Sequence, residues 1–82
     1  MKGFVYVLEM NNGQYYIGST RNIENRLHEH QNGEDRTTKK HLPVKLLCVK
    51  EYTTIKEAIH IEIKLKKGKS RSYTEKFMNQ GL

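Results

Sequence analysis

The first residues alternate between side chains that would point to opposite faces of an extended chain. In Gly3 to Glu9, Phe4, Tyr6 and Leu8 fall on one face, and two valines fall on the other. Aromatic and β-branched residues fit the pleated, half-buried surface of a sheet, and a period of two is that of a strand. The stretch is therefore predicted to be the first strand, and Gln14 to Gly18 the second.

The length of the loop between these strands decides where two tyrosines point. A two-residue turn at Asn12-Gly13 would place Tyr6 and Tyr16 on opposite faces, because a shift of one residue reverses every side chain. A three-residue loop, Asn11 to Gly13, places both phenols on one face when its glycine is left-handed. We predict the three-residue loop, so that the hairpin presents two phenols together.

Helical spacing of apolar residues begins after the hairpin. Ile23 to His30 has an apolar stripe, either Thr20 or Asn22 can cap its start, and Asn32-Gly33 ends it. Arg26 lies four residues before His30, so the two side chains are neighbours on one edge of this helix.

The middle of the chain is predicted to hold a mobile loop and a third strand. The segment from Glu34 to His41 is polar and basic, which is typical of a loop. Pro43 then opens a strand from Val44 to Glu51, which is apolar enough to be central or well covered.

A second long helix is predicted from Ile55 to Lys67. Thr54 and Glu57 form a capping box at its start, and Gly68 stops it. The broad apolar face of this helix has Glu62 near its middle, which is notable because burying an unpaired carboxylate costs several kcal/mol. The apolar members of that face are Ile55, Ala58, Ile59, Ile63 and Leu65. A short terminal helix through Asn79 should pack inward through Tyr73, Phe77 and Met78.

The composition narrows the classes of function. A chain of 82 residues is one small domain, residues 1–82, and its net charge of +6 favours a polyanion, nucleic acid before a membrane surface. A solvated basic surface would explain the charge equally well. The apolar runs are too short for a membrane span or a signal peptide. Cys48 is the only cysteine, so the sequence predicts no disulfide, a cytoplasmic setting and a small core residue rather than a nucleophile.

Four side chains together fit phosphodiester hydrolysis, although each has an ordinary structural explanation on its own. Glu62 can hold a mostly hydrated Mg²⁺ or Mn²⁺ ion, since such ions need only one or two protein carboxylates. Arg26 can fork onto a phosphate. A phenol such as Tyr6 or Tyr16, beside a cation and a metal, is expected to have a lowered pKa and to act as a base.

The arrangement of these residues resembles the signature of the GIY-YIG nuclease superfamily. Phe4-Val5-Tyr6 is followed after ten residues by Tyr16-Ile17-Gly18, then by Arg26, His30 and Glu62. Phe4 and Val5 replace the glycine and isoleucine of the first half of the signature. The resemblance covers nearly the whole chain. The sequence is similar to small single-domain bacterial members and to the N-terminal catalytic domain of the excision-repair nuclease C subunit, and the latter similarity suggests a role in DNA repair.

The resemblance implies an α+β fold, a three-stranded antiparallel sheet flanked by three helices in the order β-β-α-β-α-α. It implies that Tyr6 is the general base and that Tyr16 contacts the scissile phosphate or the attacking water. Arg26 would stabilise the phosphate charge, His30 would assist beside it, and Glu62 would bind the metal. The substrate would be nucleic acid, DNA more than RNA, read with little sequence specificity unless a protein partner supplies targeting.

Two further clusters of side chains are candidates for binding. Basic side chains are expected to contact phosphates, with a solvated helix end as the alternative; they are Arg21, Lys66, Lys67, Lys69 and Arg71. His28, His30 and Cys48 match no common zinc spacing. Two other functions stay open, a nucleic-acid-binding module that retains the nuclease fold without turnover, and a protein-interaction domain with an incidental basic surface.

Overall fold

The computed structural model describes residues 2–68 and 71–80. Three antiparallel strands form one sheet, and the three expected helices follow in the order β-β-α-β-α-α, which confirms the α+β class. A four-residue helix, α2, is present in addition. The elements are β1 (Gly3–Glu9), β2 (Tyr15–Thr20), α1 (Ile23–Gln31), α2 (Arg36–Lys39), β3 (Lys45–Tyr52), α3 (Ile55–Gly68) and α4 (Arg71–Asn79).

The hairpin has the predicted three-residue loop. Leu8 pairs with Tyr16, and Tyr6 pairs with Gly18, so both phenols lie on one face of the sheet. Gly13 has a φ of 85°, a left-handed conformation that glycine adopts without a steric penalty. The register that brings the two tyrosines together is therefore confirmed.

The sheet order is β2-β1-β3, which makes the first strand the central one. β1 is almost wholly buried, whereas Leu46 and Leu47 in β3 are 42% and 36% exposed. The prediction that the third strand is central or well covered is wrong. A register shift opposite Val7 and Leu8 adds an extra residue to β3 at this point, and an edge strand with such a bulge is covered less completely.

The core fills the space between one face of the sheet and the helices α3 and α4. Val5 and Val7 of β1 pack there with Ala58 and Leu65 of α3 and Phe77 of α4. Because residues on a strand alternate between faces, the phenols of the hairpin lie on the opposite side of the sheet from this core.

Part of the predicted apolar packing is wrong. Ile59 and Ile63 are 44% and 46% exposed, and Tyr73 is 44% exposed. At about 100° per residue, Ile59 is turned well away from the direction shared by Ala58 and Leu65. The sheet covers a narrower arc of α3 than the pattern suggested.

Lys50 fixes the end of α4 against β3. Its ammonium group donates to the carbonyl oxygens of Phe77 and Gln80 and lies 4.3 Å from the centre of the Phe77 ring. Unpaired carbonyls at a helix C-terminus attract cations, so this buried lysine is satisfied by the helix end.

The segment 34–41 contains a helix and is not the loop that its polarity predicted. Asp35 caps α2, and its Oδ1 atom accepts from the backbone N–H groups of Thr37 and Thr38 at 2.9 and 3.1 Å. Among the described residues, no helix is both long and apolar enough to cross a bilayer.

Candidate active site

Tyr6 lies at the centre of a hydrogen-bonded cluster under the first helix. The central position of β1 buries its side chain to 1% exposure. Its hydroxyl oxygen accepts from Nε of Arg26 at 3.2 Å and lies 2.9 Å from Nε2 of His30. Arg26 and His30 are four residues apart on α1, so one edge of that helix supplies both contacts.

Gly18 leaves room for this phenol. A Cβ atom built on Gly18 would collide with the hydroxyl oxygen of Tyr6 and with its neighbouring ring carbon. The two residues face one another in the β1–β2 register. The glycine of Tyr16-Ile17-Gly18 is thus required by the phenol that crosses the strand.

The protonation of His30 follows from its second contact. His30 is fully buried, and its Nδ1 lies 2.8 Å from Oγ1 of Thr38. That hydroxyl also lies 3.5 Å from Oδ1 of Asp35. A carboxylate only accepts, so Thr38 donates to it and accepts from Nδ1–H of His30. In this arrangement Nε2 accepts the proton of the Tyr6 hydroxyl.

Arg26 is held by two acidic groups in addition to Tyr6. Its Nη1 lies 2.9 Å from Oε1 of Glu29, and its Nη2 lies 2.7 Å from Oδ2 of Asp35. Burial acts to lower the pKa of the guanidinium, but the hydrogen bonds to Glu29, Tyr6 and Asp35 outweigh it and raise the pKa. The side chain is 28% exposed, and two of its five N–H groups are not used in these bonds.

Tyr16 completes the cluster from the second strand. Its ring is stacked on that of Tyr6, with centres 6.4 Å apart, and meets the edge of His30 at 4.9 Å. Its hydroxyl donates to Oδ2 of Asp35 at 3.3 Å. Burial, followed by the nearby Asp35 carboxylate, raises the pKa of Tyr16.

Burial determines the acid–base properties of Tyr6 and His30. Burial raises the pKa of Tyr6 to about 12, against the opposing influence of Arg26. Without a bound metal the pKa of Tyr6 is thus raised, because desolvation disfavours the phenolate, whereas the expected lowering applies to a phenol beside a metal. Burial, and then the charge of Arg26, lowers the pKa of His30. A neutral histidine thus faces a protonated phenol at neutral pH.

Glu62 lies on the other side of the edge strand. Its Oε1 accepts a hydrogen bond from the Ser19 hydroxyl, and its Oε2 lies 2.6 Å from Nζ of Lys66. The carboxylate side chain is 18% exposed. In the part of the chain that the structure describes, no group of three or more His, Cys, Asp or Glu residues could hold a metal. One carboxylate beside a hydroxyl fits a hard, largely hydrated Mg²⁺ or Mn²⁺ ion.

The candidate site therefore has two parts. Tyr6, Tyr16, Arg26 and His30 form one connected cluster. Glu62 is joined to β2 at Ser19, the residue after Gly18, and no hydrogen bond or ion pair described for residues 2–68 and 71–80 links its carboxylate directly to that cluster. The two parts meet at Gly18 and Ser19, consecutive residues of an edge strand.

The predicted substrate-binding residues differ in exposure and in their partners. Arg21 and Lys67 are exposed, Lys66 is paired with the candidate metal ligand, and Lys69 lies outside the described residues.

Arg71 has partners within the protein. It donates to the carbonyl oxygen of Gly13 at 2.6 Å and stacks on Tyr15 at 4.1 Å. It also lies 3.6 Å from carboxylate oxygens of Glu9 and Glu75.

Four participating residues were missed by the sequence analysis, and one of them, Glu29, lies one helical turn after Arg26. Asp35 has a detectable signal, since an aspartate before a short polar helix is a typical N-cap. Thr38 and Ser19 have none, because their roles depend on contacts made across the fold.

Comparison with known proteins identifies the family of this chain. The sequence matches the GIY-YIG catalytic domain family over residues 2–76. A UPF0213 protein of Streptococcus pneumoniae is 38% identical over 80 residues, 96% of this chain and 80% of that protein. One from Bacillus licheniformis is 37% identical over 78 residues, 94% of this chain and 79% of that protein.

A solved structure is also similar. The solution NMR structure of a UPF0213 protein from Bacillus halodurans has a TM-score of 0.61 and 28% sequence identity, covering 94% of this chain and 82% of that one. The chain belongs to the GIY-YIG catalytic domain family, and its relatives are the small UPF0213 proteins.

Proposed function

We propose that this protein is a divalent-metal-dependent endonuclease that hydrolyses phosphodiester bonds of nucleic acid, with DNA as the preferred substrate. Membership of the GIY-YIG catalytic domain family supports a nuclease-type function. The observation that carries the specific proposal is the hydrogen bond between the Tyr6 hydroxyl and Nε2 of a buried, neutral His30.

This hydrogen bond gives a route for the proton of the attacking water. A phenol with a pKa of about 12 is protonated at neutral pH, so it can accept a proton only as it releases its own. In the proposed step a water molecule reaches the Tyr6 oxygen, which is buried in the protein alone, and its proton moves to that oxygen while the phenolic proton moves to Nε2 of His30. The resulting hydroxide forms the new P–O bond, the bond to the leaving oxygen breaks, and that oxygen is protonated by solvent.

The remaining residues act on the phosphate. Arg26 stabilises the negative charge through the two N–H groups that do not bond Tyr6, Glu29 or Asp35, and Tyr16 orients the phosphate or the water beside it. Glu62 would hold the metal through its carboxylate, next to Ser19. When bound, a Mg²⁺ or Mn²⁺ ion neutralises charge on the phosphate and the leaving oxygen.

The proposed specificity is for backbone charge and shape. The side chains of the candidate site suit phosphate contacts, which position a duplex without reading its sequence. Target choice would then depend on the structure of the nucleic acid or on a partner protein. A cytoplasmic location, supported by the single Cys48, is part of the same proposal.

The test is nicking of supercoiled plasmid and of branched DNA in Mg²⁺ or Mn²⁺. Glu62→Gln and Arg26→Ala are expected to keep the fold, by circular dichroism, and to lose about 100-fold or more of the activity. Glu57→Gln on the same helix and Arg36→Ala on α2 are the matched controls and should cleave normally. Equal cleavage by wild type and Glu62→Gln would refute the proposal.

A non-catalytic nucleic-acid-binding module is the second candidate. The observation that favours it is the ion pair between Glu62 and Lys66, which occupies the expected metal ligand. Salt-dependent binding to nucleic acid, with no cleavage in any divalent metal or on any branched substrate, would support this alternative.

A further inference from the structure

Both oxygens of the Glu62 carboxylate have partners from within the chain. Ser19 donates to Oε1 from the β2 strand, and Lys66 lies 2.6 Å from Oε2. The Lys66 side chain is 55% exposed, whereas that of Glu62 is 18% exposed. The ammonium group thus belongs to the more exposed side chain of the pair.

The position of Lys66 follows from local helix geometry. Lys66 lies one turn after Glu62 on α3, and a glutamate four residues before a lysine is the favourable order for such a pair. An exposed lysine has a flexible four-carbon stem and many alternative rotamers in solvent. The pair is thus stable enough to form at rest and weak enough to be broken by a better ligand.

We propose that Lys66 is an intramolecular competitor of the divalent cation at Glu62, so that metal binding exchanges the ammonium group for the ion. This inference rests on the proposed function, because it takes Glu62 as the metal ligand. A divalent ion carries twice the charge of the ammonium group and prefers carboxylate oxygen. The exchange breaks the ion pair between Glu62 and Lys66 and removes a positive charge from the vicinity of the metal.

The Lys66 side chain, once released from Glu62, would be available to bind the substrate. Lys66 lines a cleft of about 500 Å³ along β2, together with Tyr16, Ile17, Leu65 and Arg71. A lysine freed from Glu62 at this rim can contact a backbone phosphate as a point charge. Metal binding would thereby convert Lys66 from a partner of Glu62 into a partner of the substrate.

The experiment measures Mn²⁺ binding without nucleic acid, from the electron paramagnetic resonance signal of free Mn²⁺. Lys66→Met should bind Mn²⁺ roughly fivefold to tenfold more tightly than wild type. Lys56→Met, which removes the same charge from the same helix, should change the affinity by less than about twofold. Lys66→Arg should restore an affinity near that of wild type, and Glu62→Gln should lose the site.

The outcomes separate this inference from the proposed function. Unchanged or weaker Mn²⁺ binding by Lys66→Met, with binding still abolished by Glu62→Gln, would overturn the competition and leave the nuclease proposal intact. Absence of Mn²⁺ binding in wild type and in all variants would overturn the role of Glu62 and therefore both proposals. Lys66→Gln provides a second charge-free variant if Lys66→Met does not fold.

Discussion

The hydroxyl of Tyr6 lies across the backbone of Gly18, the residue it pairs with in the hairpin. No side chain larger than hydrogen fits between them, because a Cβ atom would overlap the phenolic oxygen. The same oxygen accepts from Arg26 and contacts His30. Gly18 therefore determines where the Tyr6 hydroxyl, the proposed proton-transfer group, can lie.

Gly18→Ala is expected to push the phenol away from His30, to destabilise the fold by about 1–3 kcal/mol and to abolish cleavage. Urea unfolding and plasmid nicking measure the two effects. Gly13→Ala is the control, since its φ of 85° makes alanine unfavourable while nothing lies within 4 Å of the added Cβ. It should cost about 1 kcal/mol and leave cleavage unaltered. Normal activity in Gly18→Ala would contradict the assigned role of Tyr6.

Stability should depend on pH through His30. Burial and the nearby Arg26 hold its pKa below the ordinary value of 6.5, so the unfolded chain binds this proton more readily than the folded one. The stability contributed by neutral His30 is complete above about pH 6.5 and declines as the pH falls towards the folded-state pKa.

Urea unfolding at several pH values from about 7.5 to 5 measures this dependence. The fall in stability should be smaller in His30→Asn and unchanged in the exposed-site control His28→Gln. Cleavage should decline over the same range, since a protonated His30 cannot accept from Tyr6. An identical pH profile in wild type and His30→Asn would rule out this explanation.

Asp35 is predicted to weaken substrate binding, because its carboxylate occupies Arg26 and Tyr16. Asp35→Asn keeps an N-capping oxygen for α2 but removes the competing charge. Filter binding at fixed ionic strength should show an affinity for DNA roughly threefold to tenfold higher than that of wild type. Glu34→Gln, an exposed neighbour with the same change of charge, should have a distinctly smaller effect. Equal gains in both variants would indicate a general charge effect.

Arg71 is expected to contribute to stability by joining α4 to the hairpin. Its guanidinium donates to the Gly13 carbonyl and stacks on Tyr15. Arg71→Ala should lower the free energy of unfolding by about 1 kcal/mol. Arg36→Ala removes an exposed guanidinium on α2 and should be close to neutral. An unaltered urea midpoint in Arg71→Ala would show that these contacts are dispensable.

The sequence was sufficient where structure is determined locally. The hairpin register could be derived because the period of a strand is two and the loop offered only two lengths. Asn22 caps α1 with its side chain, and Thr54 accepts from the N–H of Glu57 at the start of α3. These local signals, with the family resemblance, placed Tyr6, Tyr16 and Arg26 beside one another.

The sequence was insufficient where structure depends on distant contacts. The polarity of residues 34–41 hid α2, since Asp35 and Thr38 owe their position to Arg26 and His30 as well as to the cap. The pKa of Tyr6 depends on burial, which a period of two does not reveal. The position of Glu62 on the far side of β2 likewise required the packing of α3.

The two oxygens of Asp35 have different partners. One accepts from the backbone at the start of a single-turn helix, and the other accepts from the guanidinium of Arg26. A sequence change between residues 36 and 40 that frays this turn would displace Asp35 and, through it, Arg26. If the protein has the proposed activity, substitutions in this short helix should change the rate of cleavage through the position of Arg26, which makes the segment a practical target for mutagenesis.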